Sequence, residues 1–199
     1  TFTAATGVLS GTPLNANVGD NSVVITVGDG TTTVTDTFTI TVANTNDAPT
    51  ITSTAVTAAT EDSLYTYAVT ASDVDTGDTV TLSGTTIPSW MTFSSTSVLS
   101  GTPTNAEVGS HAVVITATDA SGATATDTFT IVVANTNDAP TVTSTAVTSA
   151  TEDSAYTYTV TASDVDVGDT LTMTGTTVPS WLTFTAATGV LSGTPLNAN

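Results

Sequence analysis

The sequence contains no lysine, no arginine and no cysteine, and each absence excludes something. Eighteen acidic residues are left without basic partners and give a net charge of −18. Nucleic-acid binding needs basic side chains against the phosphates, so nucleic-acid partners are excluded. No apolar run approaches the roughly 20 residues of a membrane-spanning helix, so we expect no direct membrane insertion. Because disulfides cannot form, rigidity must come from a hydrophobic core or from bound metal ions.

The chain is built from long internal repeats. The segment from Thr1 to Asn17 recurs letter for letter from Thr183 to Asn199, and a diverged copy runs from Thr92 to Glu107, about 91 residues before the second. Other segments recur in the same register, which indicates a tandem array. We therefore expect a window from a longer polypeptide, with the C-terminal part of one repeat at 1–47, a complete repeat at 48–138 and the N-terminal part of the next at 139–199.

The composition is typical of an all-β protein. Apolar residues make up 39% of the chain, Thr and Val are abundant, and no helical periodicity is sustained. Alternation and turn signals predict seven strands in the complete repeat, at Thr50 to Thr57, Tyr65 to Ser72, Thr79 to Ser83, Trp90 to Phe93, Val98 to Ser100, Ala112 to Thr118 and Thr126 to Val133. This spacing predicts tandem Greek-key β-sandwiches of about seven strands each.

The acidic residues gather in turns. In the complete repeat they lie at Glu61 and Asp62, at Asp73, Asp75 and Asp78, and at Asp119 and Asp127, while the junction from Asn135 to Asp138 adds amide oxygens. Calcium takes about six to eight oxygen ligands from such groups. The clusters predict calcium sites, with a solvated acidic face as the alternative. Asp36 and Asp127, which are followed by strand residues, are expected to be surface acids.

The two tryptophans, Trp90 and Trp181, have two possible roles. Their apolar neighbours, such as Met91 and Phe93, favour packing in the core or over the end of the sandwich. An exposed Trp could instead stack on a sugar ring. A sugar site usually needs several aromatic platforms, and only 6% of the residues are aromatic, so packing is favoured.

An enzymatic function is not expected. The single histidine, His111, has Asn21 as its equivalent in the first segment, and no Lys or Arg can stabilise an oxyanion. The acids also fall on turns that are repeated in every copy. Repetition favours a structural role over the paired carboxylates of a glycoside hydrolase.

The stretch from Ile87 to Pro103, IPSWMTFSSTSVLSGTP, and its copy from Val178 to Pro195 carry a specific pattern, to which the inter-repeat Asn-Asp-Ala-Pro also belongs. This pattern resembles bacterial cadherin-like and immunoglobulin-like repeats, the dystroglycan-type cadherin family, over the whole chain. The resemblance implies immunoglobulin/cadherin-like sandwiches in a giant adhesin that is secreted or displayed on the bacterial cell surface.

The resemblance also implies where calcium binds, because cadherin repeats hold ions between an early acid, the linker and a DxD pair of the next domain. At the first boundary the implied ligands are Asn44, Asn46, Asp47, Asp73, Asp75 and Asp119. At the second they are Glu61, Asp62, Asn135, Asn137, Asp138, Asp164 and Asp166, and Glu152 is the early acid of the third segment. The linker NTNDAP is one residue shorter than the cadherin DxNDNxP. Only Glu107 could replace the acid that cadherins carry before the late strands, which predicts fewer or weaker ions.

Three functions are consistent with these features. The first is a calcium-stiffened stalk in which each repeat has the neighbouring repeats of the same chain as its partners. The second is a filament or sheath that forms by self-association. The third is a glycan-binding module. We favour the stalk.

Overall fold

The structure is a computed structural model that describes residues 1–197. The chain folds into β-strands joined by turns, with short 3-10 turns at Asn15–Asn17 and Asn105–Glu107. The all-β prediction is confirmed. Among the described residues, no helix has the length and apolar character needed to cross a membrane.

The first segment forms two antiparallel pairs. Strand β1 spans Phe2–Thr3 and pairs with β2 at Val8–Leu9. Strand β3 spans Gly19–Gly28 and forms a ten-residue hairpin with β4 at Thr33–Val42. Asp29 makes the turn of this hairpin, since its Oδ1 accepts hydrogen bonds from the N–H groups of Thr31 and Thr32 at 2.9 and 2.7 Å. Gly30, with φ of 90°, supplies the left-handed backbone that the turn needs.

The middle segment contains the nine strands β5 to β13. They are β5 Thr50–Ile51, β6 Ala58–Thr60, β7 Tyr65–Ala68, β8 Ala71–Ser72, β9 Thr81–Thr86, β10 Met91–Phe93, β11 Val98–Gly101, β12 Gly109–Thr118 and β13 Thr124–Ala134. One sheet has the order β6-β13-β12-β9, another has the order β10-β11-β7, and β5 pairs with β8. All neighbours are antiparallel where their pairing is described, except β6, which runs parallel to β13.

Two predicted strands are interrupted in the structure. The strand expected at Thr50 to Thr57 ends at Ile51, because β5 pairs with β8 whereas the following strand, β6, pairs with the end of β13. The chain changes partners between them. The N–H groups of Thr52 and Ser53 still donate to the carbonyl of Thr70, just before β8, and the pairing with β13 begins at Ala58. The strand expected at Tyr65 to Ser72 is likewise divided into β7 and β8. At the break, the N–H of Val69 donates to the carbonyl of Ser97.

The third segment repeats part of the middle one. It contains β14 Thr141–Val142, β15 Tyr156–Thr159, β16 Ala162–Ser163, β17 Leu182–Thr185 and β18 Val190–Gly193. Strand β14 pairs with β16, and the other three form a sheet in the order β15-β18-β17. These pairings match those of β5 with β8 and of β7 with β11 and β10. The 139–199 segment predicted from the sequence extends two residues beyond the described part.

The described chain divides into two compact units. The first consists of Thr1–Thr57, Tyr65–Gly101 and Ser110–Ile131, and the second of Ala58–Leu64, Thr102–Gly109 and Val132–Asn199. Each unit contains one acidic cluster together with the residues that surround it. The two clusters can therefore be described separately.

The best-formed core lies in the middle segment. Leu99, Val113, Ile115 and Ile131 are fully buried, because alternate residues of their strands point inward. Gly101 is required beside them, since a Cβ built at this position would lie 2.2 Å from the carbonyl oxygen of Trp90. This close approach explains why glycine occupies the Leu-Ser-Gly-Thr-Pro turn.

The core gives the chain an alkaline pH dependence. Tyr65 is buried and donates a hydrogen bond from its Oη to the carbonyl of Val56 at 2.7 Å. Burial, with a smaller effect of Tyr67, raises its pKa to about 12. The unfolded state ionises first, near the ordinary Tyr value of about 10, so stability is retained below that pH and falls as the pH rises towards 12.

We expect this fall to amount to about 2 to 3 kcal/mol at pH 12. Denaturant unfolding of wild type and Tyr65→Phe between pH 8 and 12 measures it. Tyr65→Phe keeps the ring and removes the titrating group, so its stability should decline less over this range. Parallel declines in the two proteins would show that Tyr65 is not the group responsible.

Candidate metal centres

The first acidic cluster is organised by the turn that follows β8. The N–H of Asp75 donates to Oδ1 of Asp73 at 2.9 Å, and the N–H of Asp78 donates to the carbonyl of Asp75 at 3.2 Å. Gly77 allows the reversal with φ of 95°. As a result, Asp73, Asp75 and Asp78 each place a carboxylate oxygen within 4.8 Å of the others.

The linker between the first and middle segments meets this turn. The N–H of Asp47 donates to Oδ2 of Asp75 at 2.7 Å, and Nδ2 of Asn46 donates to Oδ2 of Asp119 at 2.8 Å. Oδ1 of Asp119 is held from its own loop by the N–H groups of Ser121 and Ala123. Residues that are far apart in sequence therefore converge on one acidic cluster.

The second cluster repeats this arrangement one segment later. The N–H of Asp138 donates to Oδ2 of Asp166 at 2.7 Å, as Asp47 does to Asp75. The N–H of Thr136 donates to Oε2 of Glu61 at 3.1 Å, which brings the early acid to the linker. Glu61, Asp138 and Asp166 have carboxylate oxygens within 4.8 Å of one another, and so do Asp164, Asp166 and Asp169.

The carboxylates in these clusters are unusually buried. Glu61, Asp75, Asp119 and Asp166 expose 2%, 5%, 6% and 5% of their surface. Three buried carboxylate oxygens have no hydrogen-bond partner, namely Oδ2 of Asp73, Oδ1 of Asp75 and Oδ2 of Asp78. A buried unpaired carboxylate is costly unless something positive or protic compensates it.

The electrostatics divide the acids into two kinds. Burial, together with the negative charges of nearby acids, raises the pKa of Asp78 and that of Asp138. Hydrogen bonds act in the opposite direction: the Asn46 amide lowers the pKa of Asp119, and the N–H of Asp138 lowers the pKa of Asp166. Each cluster therefore contains one carboxylate whose charged form is stabilised by hydrogen bonds, Asp119 or Asp166, and one whose charged form is destabilised by burial and by nearby acids, Asp78 or Asp138.

The chemistry of the ligands fits a hard divalent cation. The groups that converge are carboxylates and amides, and calcium prefers oxygen ligands of this type. With no Lys or Arg in the sequence, no basic side chain of those types can neutralise the clusters. An ion held by Asp73, Asp75 and Asp78, or by Glu61, Asp138 and Asp166, would supply the missing positive charge.

Most of the predicted ligands come together, but some do not. At the first boundary, Asn46, Asp47, Asp73, Asp75 and Asp119 are connected by direct contacts, while Asn44 is exposed. At the second, Nδ2 of Asn137 donates to the carbonyl of its neighbour, Asp138. Asp62 occupies an exposed left-handed turn with φ of 56°. Glu152 is exposed and belongs to neither cluster in the described part of the chain.

The ligand sets implied by the cadherin resemblance omit several residues that the structure places at the clusters, although Asp78 was already among the clustered acids that predicted a calcium site. Asp78 and Asp169 are the third acids of their turns, and their repeated SDVDxGD spacing was the available signal. Nδ2 of Asn105 donates to Oδ1 of Asp166 at 2.8 Å, and Nδ2 of its equivalent, Asn15, donates to Oδ2 of Asp47 at 2.7 Å. Glu107 has a different role, since its Oε2 accepts hydrogen bonds from the N–H and Oγ1 of Thr104 at the start of a 3-10 turn.

The tryptophans pack against other rings. The ring of Trp90 lies edge-on to Tyr65 at 6.2 Å and to His111 at 5.9 Å, and Trp181 has the same relation to Tyr156 at 5.8 Å. These ring contacts agree with a packing role for both tryptophans. His111 is half-buried and contacts the ring of Trp90.

The sequence matches a family model in tandem, over residues 1–43, 48–134 and 139–199. The matched family is He_PIG, "Putative Ig domain". The chain belongs to this family. The immunoglobulin-like assignment made from the Pro-Ser-Trp and Leu-Ser-Gly-Thr-Pro motifs is thereby confirmed. No curated protein matches the sequence at a significant level.

Solved structures show the same fold. The He_PIG chain is similar to Protocadherin Gamma B2 extracellular cadherin domains 1–5, with a TM-score of 0.56 and 18% identity over 90% of this chain and 40% of that one. It is also similar to the Protocadherin GammaB4 extracellular domain, with a TM-score of 0.53 and 19% identity over 93% and 35%. An endo-fucoidan hydrolase of glycoside hydrolase family 107 matches at 27% identity over 99% and 33%, with a TM-score of only 0.41. The chain spans about a third of the length of the first structures that it matches.

Proposed function

We propose that this chain is a non-enzymatic spacer in a secreted or surface-displayed bacterial adhesin, and that calcium ions stiffen the boundaries between its repeats. The observation that carries this proposal is the set of buried carboxylates, some with unpaired oxygens, in a chain without Lys or Arg. The family and the cadherin-like fold support the adhesin context. The three matched segments support repeat boundaries near residues 47 and 138.

The stiffening follows from which groups meet at each boundary. The linker N–H groups of Asp47 and Asp138 are tied to the carboxylates of Asp75 and Asp166, which belong to the turn of the following repeat. Without an ion, repulsion among the clustered acids opposes these contacts. A bound cation would cancel the repulsion and hold linker and turn together. Pro49 and Pro140 restrict the backbone directly after each linker.

Hydrogen exchange tests this arrangement at each boundary separately. In calcium, the backbone N–H groups of the linkers at 44–48 and 135–139 should exchange slowly, and a chelator should speed their exchange. Asp75→Asn should increase exchange at the first linker while sparing the second, and Asp166→Asn should do the reverse. We expect changes of about tenfold or more, because breaking a buried charged hydrogen bond costs roughly 1.5 to 3 kcal/mol.

Asp36→Asn provides the matched control, since Asp36 is an exposed acid on β4. It removes one negative charge without touching either cluster, so both linkers should exchange as in wild type. Exchange that is equal with calcium and with chelator at both linkers would overturn the proposal.

A further inference from the structure

In the sheet β6-β13-β12-β9, the side of β13 that faces β6 is mostly free. Strand β6 pairs only with the last three residues of β13, Val132 to Ala134. From Thr124 to Ile131, this edge has no strand partner in the described structure. Both strands lie within residues 48–134, one of the three segments that the family model matches. The free edge is therefore a feature of the whole repeat.

The free edge leads into a segment that favours strand pairing. The seven residues from Thr128 to Ala134, TFTIVVA, contain no charge, no proline and no glycine. Segments of six or seven residues with high β-propensity and low charge pair readily with other copies when they lie at an edge. The carbonyl of Ala134 accepts a hydrogen bond from the N–H of Glu61 on the β6 side, so the backbone groups of Thr128 and Thr130 point to the same side.

Asp127 directly precedes this segment and is the only charged residue of β13. Alternation places its side chain on the inward face of the strand, with those of Phe129 and the fully buried Ile131. The sequence predicts a surface acid here, whereas the structure places Asp127 half-buried in a cleft of about 490 Å³ that Ile51 and Ala55 also line.

The charge of Asp127 opposes any strand added at this edge. An added strand would close the cleft and remove water from the carboxylate, and burying an unpaired charge is costly. No copy of this chain has a Lys or Arg that could neutralise it. If two β13 edges paired antiparallel near this position, their Asp127 side chains would also face each other, and like charges opposite each other destabilise a sheet.

We propose that Asp127 is a gatekeeper, whose charge keeps the free edge of β13 from pairing with the same edge of a second copy. Inward-pointing charges are one means by which β-sheet proteins protect their edge strands. The first segment repeats the pattern, since Asp36 on β4 directly precedes the residues TFTITVA. Strand β6 thus covers the end of the edge, and Asp127 protects the rest.

This role goes beyond the spacer function and does not depend on calcium. A tandem array holds copies of nearly the same edge at high local concentration, and misassembly between domains is a characteristic failure of repeat proteins. A stalk needs such protection, whereas a sheath built by edge-to-edge pairing would need the edge to be open. The position of Asp127 therefore favours the stalk over that kind of sheath.

Asp127→Val tests this role, because it removes the charge and lengthens the strand-forming segment. Light scattering over a range of concentrations should show self-association at least about tenfold stronger than in wild type, since the cost of burying an unpaired charge exceeds one factor of ten in affinity. Hydrogen exchange should show new protection at residues 124–131. Asp127→Asn keeps the size and loses only the charge, so it should act in the same direction more weakly.

Three variants serve as controls. Thr126→Val adds an apolar side chain on the opposite, exposed face of β13, and Asp29→Asn removes one negative charge from an exposed turn. Both should associate as wild type does. Adding Thr128→Pro to Asp127→Val should remove the excess association, because proline lacks the N–H that points to the free edge.

Several results would refute the gatekeeper role. One is association of Asp127→Val no stronger than that of Thr126→Val. Another is association without protection at residues 124–131, which would place the contact elsewhere. Protection of 124–131 in wild type that grows with concentration would show that the edge is not guarded. Melting temperatures below wild type in both Asp127 variants would attribute their association to unfolded chains.

Discussion

Removal of calcium is expected to lower the melting temperature of this chain by on the order of 10 °C. An ion present at about 100 times its dissociation constant stabilises the folded state by about 2.7 kcal/mol for each site. For domains of 60 to 100 residues, each kcal/mol shifts the melting temperature by about 4 to 8 °C. Differential scanning calorimetry in calcium and in excess chelator measures the shift.

Simple screening of the −18 charge must be separated from binding. Sodium chloride at matched ionic strength relieves repulsion without filling a site, so it should recover only part of the stability lost in chelator. The double variant Asp75→Asn and Asp166→Asn removes an acid from each cluster and should respond little to calcium. Superimposed melting curves in calcium and chelator for the wild type would contradict the calcium proposal.

Leu99→Ala is expected to destabilise the middle repeat by about 2 to 5 kcal/mol, the usual range for a Leu-to-Ala change in a closed core. Leu99 is fully buried where β11 pairs with β7 and β10. Deleting its side chain loses apolar burial and leaves a cavity that the surrounding strands cannot easily fill. Denaturant unfolding followed by tryptophan fluorescence measures this loss.

Leu191→Ala is the matched control for that substitution. Leu191 occupies the same position in the third segment, but it lines an open groove and is half-buried. Its removal should cost less than half as much in free energy of unfolding. Equal costs at the two positions would contradict the prediction that the difference in burial sets the difference in free energy.

The fold could be predicted from the sequence because its signals are local and repeated. Alternation located the long strands β12 and β13, and the turn residues located the hairpins. The early end of the first predicted strand at Ile51 and the separate strand β6 were not predictable in this way, because they depend on which sheet each part of the chain joins. Alternation of apolar and polar residues shows that a segment is extended, but it does not show which neighbouring strand the segment pairs with.

The clusters were predictable in part for a similar reason. The DxD pair and the linker residues could be assigned from the cadherin resemblance, and the structure brings most of them together. Asn15 and Asn105 could not, because an isolated Asn in a Thr-Pro-x-Asn turn has no distinctive spacing. They reach Asp47 and Asp166 only through the folded positions of their 3-10 turns. For Glu107 the sequence suggested a metal ligand because the residue is acidic. In the structure its carboxylate instead accepts hydrogen bonds from Thr104 and caps the 3-10 turn at Asn105–Glu107.

Calorimetric titration of the calcium-free chain with calcium tests the central proposal most directly. We predict saturable binding at two or more sites, with Asp75→Asn and Asp166→Asn each removing part of the stoichiometry and Asp36→Asn leaving it unchanged. Absence of saturable binding up to millimolar calcium, or equal stoichiometry in wild type and both cluster variants, would contradict it.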